Sequence, residues 1–307
     1  MTKLDNSHIT KVLGQTVTYP DQYDPSILVR EPRSNNRQHL SIEDDDLPFV
    51  GYDTWNAYEV STLTEQGLPV AGCMKIVYPC DSTYIVESKS IKLYLNSFNM
   101  FKCGPTREEA ISRMTKMVTR DLNELLETQC EVHFLEDRNN HMVNPVFDHS
   151  LYELLEYIST NDVINDITFD TYQETPELLK VIPVTKNNTL PEMHYWRSGL
   201  LKSNCRVTSQ PDWGDIYIKY SGNTQVTPLS LLKYIVSFRD ECHFHEEICE
   251  TVYKRLYEAL QPQELCVTCL YARRGGIDIN PVRASSLDLI SPSLIDSKIM
   301  HQKTMKQ

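Results

Sequence analysis

Apolar and polar positions alternate at period two in several runs of this chain and recur at three-to-four spacing in others. Ile216, Ile218 and Tyr220 share one face after the turn Pro211-Asp212-Trp213-Gly214, which predicts a strand leaving a tight return. Strands are also predicted over 52–60, 70–78, 82–86, 130–135 and 264–271, where β-favouring residues are bounded by turn signals such as Gly67-Leu68-Pro69. Ile91, Tyr94, Leu95 and Phe98 fall at i, i+3, i+4 and i+7, the buried stripe of a helix that Ser88 or Ser90 could cap. Thr106 and Glu109 form a capping box ahead of Ile111, Met114, Val118, Leu122 and Leu125. Thr227 and Pro228 open a third helix, and Ile248, Val252, Leu256 and Leu260 mark a fourth.

The second half repeats the first. Ser90 to Phe98 aligns with Ser230 to Phe238 at an offset of 230 − 90 = 140, with Ser, Tyr, Ser and Phe identical. Each of these helices is followed by another opening on a glutamate pair, Glu108-Glu109 and Glu246-Glu247, and then by a strand. An α+β chain of two duplicated ββαα units follows. Residues 1–45 form a polar extended segment, 46–136 and 196–283 the two modules, 137–195 a connector and 284–307 a loose tail. Within the connector, Leu151 to Ile158 reads as a short helix, and Val163, Ile167 and Phe169 as a short strand.

Composition removes several classes of function. A net charge of −12 argues against nucleic acid as a direct partner, because phosphate binding relies on clustered Lys and Arg. The sequence has no apolar run of membrane-spanning length and its N-terminus does not read as a signal peptide. Nine cysteines, an odd number, read as reduced thiols in a cytoplasm. Neither a Rossmann fingerprint nor a P-loop is present.

The chemistry concentrates in four places. Cys205 and Asp212 stand seven apart across the predicted return, so a thiol and a proton-moving carboxyl group could meet; a buried thiol beside a common turn is the competing reading. Phe244-His245-Glu246-Glu247 offers a carboxylate for the paired donors of a flat heterocycle. His243, His245 and Glu246 imitate metal ligands, but the spacing supplies too few for zinc, and no metal is expected. Arg273-Arg274-Gly275-Gly276, with Lys89 and Lys92, suits an anion such as a phosphorylated cofactor; solvated surface cations are the alternative. Cys266 and Cys269 read as core thiols. Cys73 stands six before Pro79, as Cys205 stands six before Pro211, a likeness that reflects the repeat, but Cys80 holds the place of Asp212 and Cys73 reads as a structural thiol.

Together, Glu87-Ser88-Lys89-Ser90-Ile91-Lys92-Leu93-Tyr94, the Cys205–Gly214 stretch, Phe244-His245-Glu246 and Arg273 to Pro281 resemble the NADPH-dependent 7-cyano-7-deazaguanine reductases of the two-module type. The resemblance runs from about Tyr23 to Arg283. It implies a tunnelling fold whose antiparallel sheets, helices on one face, assemble into a barrel on oligomerisation, with a homodimer expected. It implies reduction of a nitrile to an amine in queuosine biosynthesis, a tRNA modification. Cys205 would form a covalent thioimide and Asp212 would move protons, while two hydrides come from two NADPH. Val86, Glu87, Ser88, His245 and Glu246 would hold the 7-deazapurine; Ser88, Lys89, Arg274 and Gly275 would contact NADPH. A metal-dependent cyclohydrolase of the same fold and a non-catalytic purine- or pterin-binding module are the alternatives.

Overall fold

A computed structural model describes residues 22–136, 143–157, 167–184 and 192–307. The first half holds β1 (Arg30–Pro32), α1 (Ser34–Arg37), β2 (Val50–Thr64), β3 (Pro69–Pro79), β4 (Tyr84–Val86), α2 (Ser88–Asn96), β5 (Lys102–Gly104), α3 (Arg107–Leu126) and β6 (Glu131–Leu135). Two short strands follow, β7 (Glu153–Leu154) and β8 (Val181–Pro183). The second half holds β9 (Met193–Cys205), β10 (Pro211–Ser221), β11 (Thr224–Val226), α4 (Pro228–Val236), β12 (Cys242–His243), α5 (His245–Leu260), β13 (Glu264–Tyr271), β14 (Ile277–Ala284) and α6 (Pro292–Ile295).

One mixed, mainly antiparallel sheet runs β12-β9-β10-β13-β14-β2-β3-β6, and β14 on β2 is the seam between the halves. Strand alternation sorts side chains to its two faces. Ile216, Ile218 and Tyr220 pack in the second-half core with α4 and α5, whereas Tyr217 joins a cluster on the other side with Leu270, Val282 and Leu294. Trp55, Ile76 and Tyr78 belong to the first-half core beneath α2 and α3.

The element order recurs, and so do its hydrogen bonds. Ser90 Oγ donates to Glu87 O (2.7 Å) and accepts from Val29 N (3.0 Å); Ser230 Oγ donates to Thr227 O (2.8 Å) and accepts from Lys180 N (3.0 Å). Ser97 and Ser237 each cap back onto the carbonyl of the tyrosine three residues earlier. The recurrence reaches beyond the helices. Ribbon β1–β4 follows a 3-10 turn at Pro25–Ile27, and ribbon β8–β11 follows one at Pro176–Leu178. Part of the segment read as a connector therefore occupies the place that residues 25–32 take in the first half.

Several local expectations need correction. The cap of α2 is Glu87, whose carboxylate accepts from Lys89 N (3.0 Å) and Ser90 N (2.7 Å). Thr227 sits at the N-cap of α4 but makes no side-chain cap bond. Leu151 to Tyr157 forms β7 and a 3-10 turn, while Ile158 and Val163 lie outside the described residues; Ile167 and Phe169 are in no strand. Cys73 is not the counterpart of Cys205. Pro69 and Pro211 both open the returning strand, opposite Leu63 and Asn204, so Thr64 and Val70 take the places of Cys205 and Asp212. The tail is not loose: Leu289, Ile290 and Leu294 pack on the sheet, and Lys303 reaches Asp278 (3.1 Å). Gln307 donates to Asn280 (2.6 Å).

A buried ion cluster ties the seam. Arg283 of β14 donates to Asp53 of β2 (2.8 Å) and to Glu250 of α5 (2.9 Å). Arg33 binds Asp53, and Arg37 binds Glu250 through two nitrogens (3.0 and 2.8 Å). Burial alone would raise both carboxyl pKa values, but for Asp53 the pull of Arg283 and Arg33 prevails, and for Glu250 that of Arg283, Arg37 and Arg33. Both thus lie below their unfolded values, so the stability they add is complete above about pH 4 and is lost as the pH falls through the folded values. Arg283→Met leaves two buried carboxylates short of a partner and is expected to cost about 3–5 kcal/mol. Urea unfolding at pH 7 measures this; a change below 1 kcal/mol contradicts it.

Candidate active site

Cys205 is the last residue of β9. Its N–H donates to Gln210 O (2.8 Å) and its carbonyl accepts from Ser209 N (2.9 Å), closing a short loop in which Ser209 takes the left-handed conformation (φ 54°). The chain then enters β10, where Asp212 lies opposite Ser203. On the other edge of β9, β12 runs parallel, with His243 beside Cys205, and leads directly into α5. The first turn of α5 carries His245 and Glu246, so strand pairing alone brings two separate stretches of sequence to one sulfur.

The acids around that sulfur are held in opposite states. Asp212 is 3% exposed. Its burial favours the neutral form, but His245 Nε2 at 3.6 Å and the Arg274 guanidinium, which donates to Oδ1, prevail and hold it below the usual carboxylate range. Glu246 is 1% exposed, and burial, with Asp53 nearby, pushes it up to about 8. Its Oε1 has no hydrogen-bond partner among the described residues. An unpaired carboxyl oxygen at the floor of a cavity is a group built to meet a donor from a ligand.

Neighbouring acids are already committed. Glu247 accepts from Phe244 N (2.9 Å) and pairs with Arg206 (2.8 Å) and His243 (3.4 Å). Burial would lower the His243 pKa, but Glu241 and Glu247 raise it to about 9. As a cation, His243 makes a poor metal ligand. Among the described residues no three His, Cys, Asp or Glu side chains gather as a metal site.

The opposite wall comes from the first half. A cavity of about 280 Å³ is lined by Glu87, Ser88, Lys89 and Lys92 of α2 and its cap, facing Cys205, His245, Arg274 and Gly275. It joins a recess of about 20 Å³ that holds Val86, Asp212 and Glu246 and shares Ser88, Cys205, His245 and Arg274. The ten residues expected to bind or react thus all line these two adjoining cavities. Arg273 does not; its guanidinium lies over the Tyr58 ring at 3.4 Å. Gly275 has φ 57°, in the left-handed region that favours glycine, and lies against the Lys92 side chain, whose flexible end a Cβ would have to push aside. Lys89, Lys92 and Arg274 around the start of α2 make a cationic lobe that fits the phosphates of a dinucleotide. Trp55, Ile277 and Ile279 also line the space and were not singled out. In sequence they are ordinary strand residues, and only the β14–β2 seam brings them here.

A thiol, an ionised acid and a carboxyl group kept protonated, facing a cationic lobe, make a candidate enzyme site with a nucleophile, a proton carrier and a place for an anion. The family model described as nitrile reductase, 7-cyano-7-deazaguanine-reductase N-term, matches residues 19–134, and the one described as QueF-like protein matches residues 211–288. The chain is 40% identical over 287 residues to the NADPH-dependent 7-cyano-7-deazaguanine reductase of Coxiella burnetii, covering 93% of this chain and 95% of that one. It is 38% identical over 281 residues to the enzyme of that name from Colwellia psychrerythraea (90% and 92% covered), and 39% over 273 residues to that from Bordetella bronchiseptica (89% and 92%). The chain belongs to the NADPH-dependent 7-cyano-7-deazaguanine reductase family. The crystal structure of the archaeosine synthase QueF-Like in the apo form aligns with 33% of this chain and 99% of its own, at 17% identity and a TM-score of 0.29, too slight a likeness to argue from.

Because Glu246 rises from an ordinary 4.5 to about 8 on folding, the folded protein holds a proton that the unfolded chain releases, and stability falls as the pH rises through that window. Glu246→Gln removes this slope. Thermal unfolding from pH 5 to 9 should show the variant gaining on the parent as the pH rises; parallel curves would refute the assignment.

Proposed function

We propose that this chain reduces the nitrile of 7-cyano-7-deazaguanine to the primary amine of 7-aminomethyl-7-deazaguanine with NADPH, a step of queuosine biosynthesis. The observation that carries the reading is a single space lined by Cys205, Asp212 and the unpartnered Oε1 of Glu246, open to a cationic lobe. Asp212, ionised beside the thiol, takes the sulfur's proton. The Cys205 thiolate bonds to the nitrile carbon as one C–N π bond breaks, and Asp212 returns the proton to nitrogen, giving a thioimide. No electrons are gained in that step. Two hydrides and two further protons complete the amine, with the C–S bond broken on the way; NADPH supplies the hydrides when bound.

Glu246 gives up its proton to accept the two parallel N–H donors of the base, and His245 lies alongside, its ring 3.9 Å from that of Tyr271. The Glu87 carboxylate is occupied by the α2 cap, so contacts from Val86, Glu87 and Ser88 fall to backbone and the Ser88 hydroxyl. Ser88, Lys89, Arg274 and Gly275 bind the cofactor. The deep burial of Asp212 and Glu246 keeps water from an imine held between the two reductions.

The recurrent element order supports a duplicated tunnelling fold, and the exposed edges at β6 and β12 suit closure of the sheet into a barrel by a second copy. A homodimer in the cytoplasm, its nine thiols reduced, acts on a free base with no direct contact to nucleic acid or membrane. Among the described residues no helix is long and apolar enough to cross a membrane. The comparisons favour neither a metal-dependent cyclohydrolase nor a non-catalytic binding module.

Mixing protein with the nitrile should consume about two NADPH per substrate, one per hydride. Intact-mass analysis without reductant should find one adduct on Cys205, and Cys205→Ala should abolish both signals. Turnover that survives in Cys205→Ala would overturn the mechanism.

A further inference from the structure

Arg274 stands where the two lobes of the site meet. It lines the main cavity with Lys89, Lys92 and Gly275, and the inner recess with Asp212 and Glu246. Through Nη1 its guanidinium donates to Asp212 Oδ1. Through Nη2 it donates to Gln210 Oε1 at 2.5 Å and approaches Thr208 Oγ1 at 3.4 Å. The fork is thus spent on β10 and the Cys205 loop, although its place in the cavity is among the cations suited to a phosphate. A guanidinium cannot pair fully with a carboxylate and a phosphate at once. The arginine side chain is 35% exposed and that of Asp212 only 2%, so the arginine is the partner free to move.

We propose that Arg274 exchanges between Asp212 and a phosphate of the bound cofactor, so that occupation of the cofactor lobe frees the Asp212 carboxylate to act as a stronger base toward the Cys205 thiol. The inference rests on the reading that Asp212 takes that proton as the thioimide forms. The other groups facing Asp212 set the direction of the change. From α5 come His245, 3.6 Å away, and Glu246, with His243 in the same recess; from β13 comes Tyr271. Cys205 stands at the end of β9, and Glu87, Lys89 and Lys92 across the cavity. Among these Arg274 makes the direct guanidinium contact. Once it leaves, burial is opposed by His245 alone, and the proton affinity of Asp212 rises. Attack on the nitrile is then linked to the presence of the reductant.

The test uses adduct formation, which needs no hydride. The full chain, Arg274→Met and Arg274→Gln are mixed with the nitrile from pH 4 to 8, quenched, and scored for the Cys205 adduct by intact mass, with and without saturating NADP+. In the parent, NADP+ should move the acid limb of the rate profile up by about one pH unit or more. Both variants should already show the higher limb without NADP+ and should not move when it is added. Variant profiles that coincide with the cofactor-free parent would make Arg274 a phosphate contact only and overturn the exchange, as would a parent profile that NADP+ leaves in place. If the parent forms no adduct at any pH, the thioimide reading itself fails, and the exchange with it.

Discussion

The buried charges of Arg33, Arg37, Asp53, Glu250 and Arg283 are the constraint around which the molecule is arranged. They join the N-terminal segment, β2, β14 and α5 at the line where the halves meet. Such a cluster is costly to bury, and an apolar seam could be at least as stable. Its effect is one of placement. Glu250 lies one helical turn beyond Glu246, so the salt bridges that dock α5 also fix the carboxyl group at the cavity floor. Burial above all, and Asp53 with it, disfavours negative charge there while Arg33 and Arg283 temper the effect, and Glu246 stays protonated near neutrality. Scaffold and site share one electrostatic field.

That field separates two carboxyl groups which line the same recess. Asp212 has His245 and the Arg274 guanidinium beside it and stays ionised against its burial; Glu246 has no such partner among the described residues and holds its proton. One stands ionised in the recess that holds Cys205, and the other keeps its proton at the floor of the same recess. The division arises from neighbours supplied by different strands and helices, not from the residues' own chemistry.

Much of this was legible before any coordinates. The period-two and three-to-four patterns located the central strands and main helices, and the 140-residue offset predicted a recurrence that extends to individual serine hydrogen bonds. The ten site residues came from local motifs and from the family resemblance those motifs carry, and they line two adjoining cavities. What escaped was long-range. Strand β14 carries Asp278, Asn280 and Arg283 and so reads as polar, yet all eight of its residues are buried because both faces of the seam are covered. The tail's serines and lysines suggested solvent, whereas a few apolar residues and two polar side chains anchor it on that strand. Pairing Cys73 with Cys205 failed because spacing to a proline ignores which end of a strand the proline occupies.

The correct superposition of the hairpins matches the Glu65–Pro69 tip, flanked by Thr64 and Val70, with the loop between Cys205 and Asp212. Two similar loops have been given unequal labour. The first half supplies walls and cations from α2 but no sulfur, and the second supplies sulfur and acids but only part of the enclosure. Neither half encloses the space by itself, so the cavity exists only while the β14–β2 seam holds the two together.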